Sequence, residues 1–140
     1  MKLIGSSLRR SLVSFFALAM GCALLVGGAA HAAATSSIVV PIHGNAGTTM
    51  LAGTATVETT LVRDELGGAP SVLVSIKVNN LVGAGIRASG EAVLVRPLGS
   101  SDTVEMQLAV VGSDAPAIAT FALTFNPATG AALSATGTVQ

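Results

Sequence analysis

The sequence contains very few of the side chains that stack on ligands. Tryptophan and tyrosine are absent, and only four of the 140 residues are phenylalanine. Carbohydrates and single-stranded nucleic acids are bound largely through aromatic faces. Outer-membrane barrels also need aromatic side chains, in a girdle at each membrane interface. The composition therefore argues against these three classes of protein.

Side chains for catalysis are equally scarce. Beyond position 32 the chain has one histidine, His43, and no cysteine. Nucleophilic catalysis needs a base beside the nucleophile, and zinc and copper sites prefer histidine and cysteine. His43 lies in a glycine-rich stretch, and no serine stands in a G-x-S-x-G pattern. We therefore predict that the protein is not an enzyme and holds no cofactor.

The N-terminus carries three basic residues followed by a long uncharged, apolar run. The basic residues are Lys2, Arg9 and Arg10, and the run ends in Ala30-His31-Ala32. This order is typical of a secretory signal peptide that is cut after Ala32. We expect residues 1–32 to be removed and residues 33–140 to form a single exported domain. That domain would be periplasmic or extracellular, with no stable insertion into the membrane after cleavage.

Two details of this segment leave the route of export open. Arg9-Arg10 has the twin-arginine form, which indicates export of a folded chain, whereas a basic start alone fits the general secretory route. Cys22 could carry a lipid anchor, or it could serve as an apolar filler of the signal.

The expected processed domain is mildly acidic. Four basic and seven acidic residues remain after such a cut, which gives a net charge of −3. Scattered charges of this sign do not form the basic patch that nucleic acids require. Without cysteine there is no disulfide, so the stability of the domain must come from its apolar core. We expect no nucleic-acid partner.

Apolar and polar residues alternate along most of this domain, as they do in strands with one buried face. The clearest runs have aliphatic or aromatic residues at alternate positions in 72–78, 104–110 and 121–125. Weaker strands are predicted at 37–42, 49–62, 91–96 and 131–139, with a bulge or break at Gly53. About seven short strands separated by turns predict an antiparallel β-sandwich of the immunoglobulin-like or jelly-roll type.

One stretch has the form of a dinucleotide-binding fingerprint. Gly83, Gly85 and Ala88 have the G-x-G-x-x-A spacing and follow a predicted strand. The fingerprint binds phosphate only where a helix follows the glycines in a βαβ unit, and no helical period follows here. We interpret the stretch as a connection between strands, with Leu81, Val82 and Ile86 at the edge of the core.

Acidic residues in the predicted loops are the only candidate metal ligands. They are Asp64, Glu65, Asp102 and Asp114. Calcium takes several loop oxygens, but none of these residues has the D-x-D spacing of a calcium loop. Acids in loops also keep exported proteins in solution, so the pattern indicates a metal site only weakly.

Two functions fit these observations. The first is a non-enzymatic module that acts through its surface, as a structural, adhesive or assembly subunit of the cell envelope or of an extracellular fibre. Its predicted contact is an edge strand at Ile38, Val39, Val40 and Ile42, which would pair with a protein partner or with another copy of the chain. The alternative is a calcium- or small-ligand-binding domain, with a site formed by the loops around Asp64, 83–90 and 102–114.

Overall fold

The structure is a computed structural model that describes residues 34–63 and 66–140. The predicted signal peptide lies outside the described residues, as do Asp64 and Glu65. All described residues belong to one unit of the chain, Ala33–Gln140. Within them there is no helix long and apolar enough to cross a membrane.

Seven strands form most of the described chain. They are β1 Thr35–Ala46, β2 Thr49–Val62, β3 Ser71–Gly83, β4 Ile86–Pro97, β5 Ser101–Val111, β6 Ala117–Phe125 and β7 Ala132–Val139. The three clearest alternating runs lie in β3, β5 and β6, and β2 has the bounds that the sequence predicts. β1 and β4 are longer than predicted. The all-β fold with seven strands is confirmed.

The sheet closes on itself as a barrel, so the predicted sandwich is not confirmed. Each strand pairs with the next one in the sequence, and β1 also pairs with β7. Successive strands are antiparallel, and because seven is an odd number, β1 and β7 run parallel to each other. Alternation decides which face each side chain takes, but it does not decide whether the two outermost strands meet.

Two of the seven strand pairings are much shorter than the others. β1 and β2 are in register over all twelve residues of β1. In contrast, β4 and β5 pair over only three residues each, Arg87–Ser89 with Ala109–Val111. The same is true of β1 and β7, where Ile42–Gly44 pairs with Gly137–Val139. The barrel is therefore made of two sheets, β1–β4 and β5–β7, joined by two short seams.

Both seams lie at the same end of the barrel, which we call the closed end. The closed end carries the connections at 47–48, 84–85 and 112–116, and the opposite, split end carries those at 63–70, 98–100 and 126–131. Inward-facing apolar residues are fully buried in the middle strands, such as Val57 and Ile76. Along the unpaired stretches towards the split end they are only half-buried, as at Ile38, Leu94 and Ala135. The core is thus less completely enclosed where the two sheets separate.

A bulge in β3 bends the first sheet. Asn80 is an extra residue relative to β4, and its φ of 54° lies in the left-handed region. The register with β2 shifts between Ala52 and Thr54, so an irregularity lies at Gly53 as predicted, although the extra residue is on β3 and β2 continues through Gly53 without a break. A Cβ atom at Gly53 would lie 2.9 Å from the Asn80 carbonyl oxygen, which explains why glycine is needed there. A bulge of this kind bends its strand and increases the local twist.

The glycine-rich stretch after β3 is a tight turn between two strands. β3 ends at Gly83, β4 begins at Ile86, and Gly85 has a φ of 74°. No helix follows the glycines, in agreement with the interpretation of this stretch as a strand connection. Leu81 and Ile86 are buried as expected, but Val82 is exposed, so that part of the prediction is wrong.

Candidate interaction surface

The four residues predicted as an interaction edge all lie on β1. Val40 and Ile42 face inward and are buried, and Ile38 faces inward but is only half-buried. Val39 faces outward with 69% of its surface exposed. β1 therefore exposes apolar surface on both of its faces near Ile38 and Val39.

β1 has two neighbours of very different extent. β2 lies beside it over its whole length, whereas β7 joins it only from Ile42 onward. Among the described residues, no strand pairs with the outer edge of Thr35–Pro41. We call this seven-residue stretch the open edge.

The open edge exists because β7 turns away from β1 towards the split end. Ala132, the first residue of β7, donates its backbone N–H to the buried hydroxyl Oγ1 of Thr59 over 3.1 Å. Thr59 is an inward-facing residue of β2, and its partner on β1 is Ser36. The start of β7 thus lies beneath β2, one strand in from the edge, and leaves the edge of β1 uncovered.

Pro41 shows which backbone groups point to the open edge. Proline has no N–H, so within a sheet its nitrogen must face away from the paired neighbour. Pro41 is in register with Thr54 of β2 without any shift, so its nitrogen faces the open edge. Backbone direction alternates with a period of two, and therefore Ser37 and Val39 present their N–H and C=O groups at the same edge.

The open edge carries almost none of the usual protection against pairing. Edge strands are commonly protected by lysine, by inward-pointing charges or by proline. From Ala34 to Ile42 the chain has no charged side chain, and Pro41 stands at the far end of the stretch. Among the described residues, nothing therefore protects the edge at 35–40 from pairing with another strand.

The second gap between the sheets, between β4 and β5, is bridged by a side chain. Arg96 of β4 and Asp102 of β5 form an ion pair, with 2.7 Å between Nε and Oδ2. An Nη atom of Arg96 also donates to the carbonyl oxygen of Thr103 over 3.2 Å, and the Thr103 N–H donates to Asp102 Oδ1 over 2.8 Å. The Arg96 side chain thus donates to a main-chain carbonyl of β5 that an added strand would otherwise use as a hydrogen-bond acceptor. This edge is less available to a partner than that of β1.

The acidic residues predicted as weak metal ligands are not brought together. Asp102 is held by Arg96 at the split end, and Asp114 lies at the closed end, beyond the other end of β5. Eleven residues of strand separate these ends by roughly 35 Å. No three histidine, cysteine, aspartate or glutamate residues cluster within the described ranges. The turn at 84–85 lies with Asp114 at the closed end, whereas Asp102 and the connection at 63–70 lie at the split end, so the loops of the alternative function do not all share one site.

Two depressions on the described surface are shallow. One, of about 270 Å³, lies at the split end among Leu61, Arg63, Gly68, Pro70, Leu98, Pro127 and Ala128. The other, of about 440 Å³, lies on the outer face of β5–β7 and is lined mainly by hydroxyl side chains such as Thr103, Thr124 and Ser134. Ligand pockets usually measure about 300–1,000 Å³ and enclose most of the ligand. Neither lining contains a histidine or cysteine to support catalysis.

Sequence reasoning placed the predicted edge on β1, but Ile42 is paired with β7, and the contacts that leave residues 35–41 unpaired were missed. Thr59 is one more threonine in a threonine-rich strand, and Ala132 follows a turn like many other alanines. Their hydrogen bond joins residues 73 positions apart, and no local pattern signals it. The proline at position 41 was the one available signal, because it marks an edge.

No family model, curated protein or solved structure matches this chain.

Proposed function

We propose that the protein is an exported, non-enzymatic module that assembles with a protein partner through the open edge of β1. Export is supported by the basic start, the apolar run and the Ala30-His31-Ala32 end of residues 1–32. A structural, adhesive or assembly role in the cell envelope or in an extracellular fibre follows from the same two elements, export and edge pairing.

The observation that carries this proposal is the seven-residue open edge. An extended segment that adds to a sheet edge gains main-chain hydrogen bonds, while side-chain contacts on the two faces provide selectivity. Ser37 and Val39 offer the main-chain groups, and Ile38 and Val39 offer apolar surface on opposite faces. Pairing along this edge would bury both side chains at once.

The geometry favours this role over the small-ligand alternative. Both depressions are open to solvent, whereas ligand pockets enclose most of the ligand. Of the predicted metal ligands that the structure describes, Asp102 is paired with Arg96 and Asp114 lies at the other end of the barrel. An edge of unpaired main-chain groups can bind another strand through hydrogen bonds, and it offers no enclosed site for a metabolite or an ion.

The test is photo-cross-linking in the producing cells. A photoreactive residue is placed at Ser37, on the open edge, or at Lys77, which is exposed in the middle of β3. We expect cross-linked protein adducts from position 37 but not from position 77, in a fraction outside the cytoplasm. Intact mass measurement should show that this fraction begins at Ala33. No adduct at position 37, or protein confined to the cytoplasm with residues 1–32 intact, would contradict the proposal.

A further inference from the structure

The open edge of β1 is complementary to itself. We infer that its partner is a second copy of this chain, with the two β1 strands antiparallel about a two-fold axis at Ile38. This inference rests on the proposed function, because it names the partner of the same edge. The two four-stranded sheets would then form one continuous sheet of eight strands across the two copies.

The register about Ile38 follows from the backbone directions. Ser37 and Val39 present their N–H and C=O groups at the edge, so Ser37 of one copy and Val39 of the other exchange both hydrogen bonds. Pro41 comes opposite Thr35, at each end of the paired segment, where its missing N–H removes only the outermost bond. A shift that moved Pro41 inward would lose bonds in the middle of the pairing.

Side-chain chemistry agrees with this register. Two half-buried Ile38 side chains come opposite each other on the inner face, where each covers the other. On the outer face, the exposed Val39 packs beside Ser37 of the other copy. A two-fold contact must be self-complementary, and a stretch made only of hydroxyl and aliphatic side chains satisfies that condition.

Charge does not oppose the pairing. The charged residue nearest to the axis among those described is Glu58, which is opposite Ser37 on β2. The two copies of Glu58 would be separated by three strand spacings, about 14 Å or more. This exceeds the screening length at physiological salt, so their repulsion is weak.

The expected association is weak, because seven residues a side form a contact smaller than standard interfaces. Sedimentation of the protein, in the form that the cells produce, is measured from about 1 μM to about 1 mM. We expect a reversible monomer–dimer equilibrium within that range. A species that stays monomeric throughout would overturn the inference.

Two variants, each with a control at Val93, test the geometry. Val39→Lys places two like charges diagonally across the axis and should weaken the dimer about tenfold or more. Val93→Lys, on a similarly exposed valine of β4, should leave the dimer unchanged.

Ile38→Cys should form a disulfide-linked dimer on mild oxidation, because side chains opposite each other at the axis are within reach of a disulfide. Val93→Cys should remain monomeric under the same conditions. Equal responses of positions 39 and 93 to lysine, or no cross-link at position 38, would contradict β1–β1 pairing.

The cross-link from Ser37 in cells separates failure of this inference from failure of the proposed function. An adduct made of two copies of this chain supports both. An adduct with a different protein overturns the second-copy inference and leaves the proposed function in place. Absence of any adduct overturns both.

Discussion

The backbone N–H of Ala132 and the hydroxyl of Thr59 form a buried hydrogen bond of 3.1 Å between the two sheets of the barrel. Thr59 is 1% exposed and is the one buried polar side chain among the described residues. The bond satisfies a main-chain donor that would otherwise be buried without a partner, since an unpaired buried N–H is costly. It also fixes the start of β7 beneath β2, which leaves β1 with its open edge.

Replacing this hydroxyl should destabilise the fold. Thr59→Val keeps the shape of the side chain but leaves the Ala132 N–H without an acceptor, so we expect the free energy of unfolding to fall by about 1–3 kcal/mol. The measurements are urea denaturation and hydrogen exchange at the Ala132 amide. Thr59→Ser is the control, because it keeps the acceptor and should keep that amide protected. Slow exchange at Ala132 in the valine variant would contradict this account.

Removing the Arg96 side chain should loosen the gap between β4 and β5. Arg96 and Asp102 are 42% and 26% exposed, so solvent weakens their attraction. We expect Arg96→Ala to lower the free energy of unfolding by about 0.5–1.5 kcal/mol, including the hydrogen bond to Thr103. The ionic part of this loss should disappear in about 1 M salt, where screening is short-ranged.

Arg87→Ala is the matched control for Arg96. Arg87 is exposed on the same strand, and no side-chain bond is seen for it among the described residues. Denaturation of both variants at low and high salt checks the prediction. Equal losses at positions 87 and 96 would show that the bridge does not stabilise the gap.

An alanine at Gly44 should disrupt the seam between β1 and β7. A Cβ atom there would overlap the backbone carbonyl of Val139, which cannot move without breaking the pairing. We expect Gly44→Ala to cost about 1–3 kcal/mol and to speed hydrogen exchange at Val139. Gly99→Ala is the control, because its Cβ would approach only the Ser101 carbonyl oxygen, at 3.9 Å. Its effect should stay within about 0.5 kcal/mol.

The bulge residue Asn80 should prefer glycine to alanine. Its φ of 54° costs most residues about 1–2 kcal/mol, and glycine adopts this conformation freely. We therefore expect Asn80→Ala to lower the midpoint of thermal unfolding and Asn80→Gly to leave it unchanged or raise it. Asn79→Ala, at the exposed neighbour without positive φ, should have little effect. The same midpoint for alanine and glycine at position 80 would refute the argument from backbone strain.

The strands could be predicted from the sequence because their signal is local. Alternation at positions such as Val72, Val74 and Ile76 requires only that one face of a strand is buried, and those residues are buried. Closure into a barrel could not be predicted, because it depends on the pairing of Ile42–Gly44 with Gly137–Val139, about 95 residues apart in the chain. All four predicted edge residues lie on β1, but Ile42 is paired with β7, and the contact that leaves residues 35–41 unpaired, Ala132 with Thr59, has no local signature.

The acidic residues also show that sequence order alone does not predict which loop residues lie close together. Asp102 and Asp114 were predicted to lie in successive loops, and loops that follow each other in the sequence could be expected to lie close together. The strand between them places them at opposite ends of the barrel, and Asp102 instead meets Arg96, six residues before it. A short distance in the sequence therefore does not indicate a short distance in space when a whole strand lies between the two residues.

The parallel arrangement of β1 and β7 determines how the domain would respond to mechanical tension. Traction on the start of β1 and on the end of β7 acts at opposite ends of the barrel, because the two strands run in the same direction. The force would slide Ile42–Gly44 along Gly137–Val139, loading their hydrogen bonds in shear together rather than peeling them one at a time. In a barrel with an even number of meandering strands, the start of the first strand and the end of the last would lie at the same end. Tension would then break the hydrogen bonds between those two strands one after another.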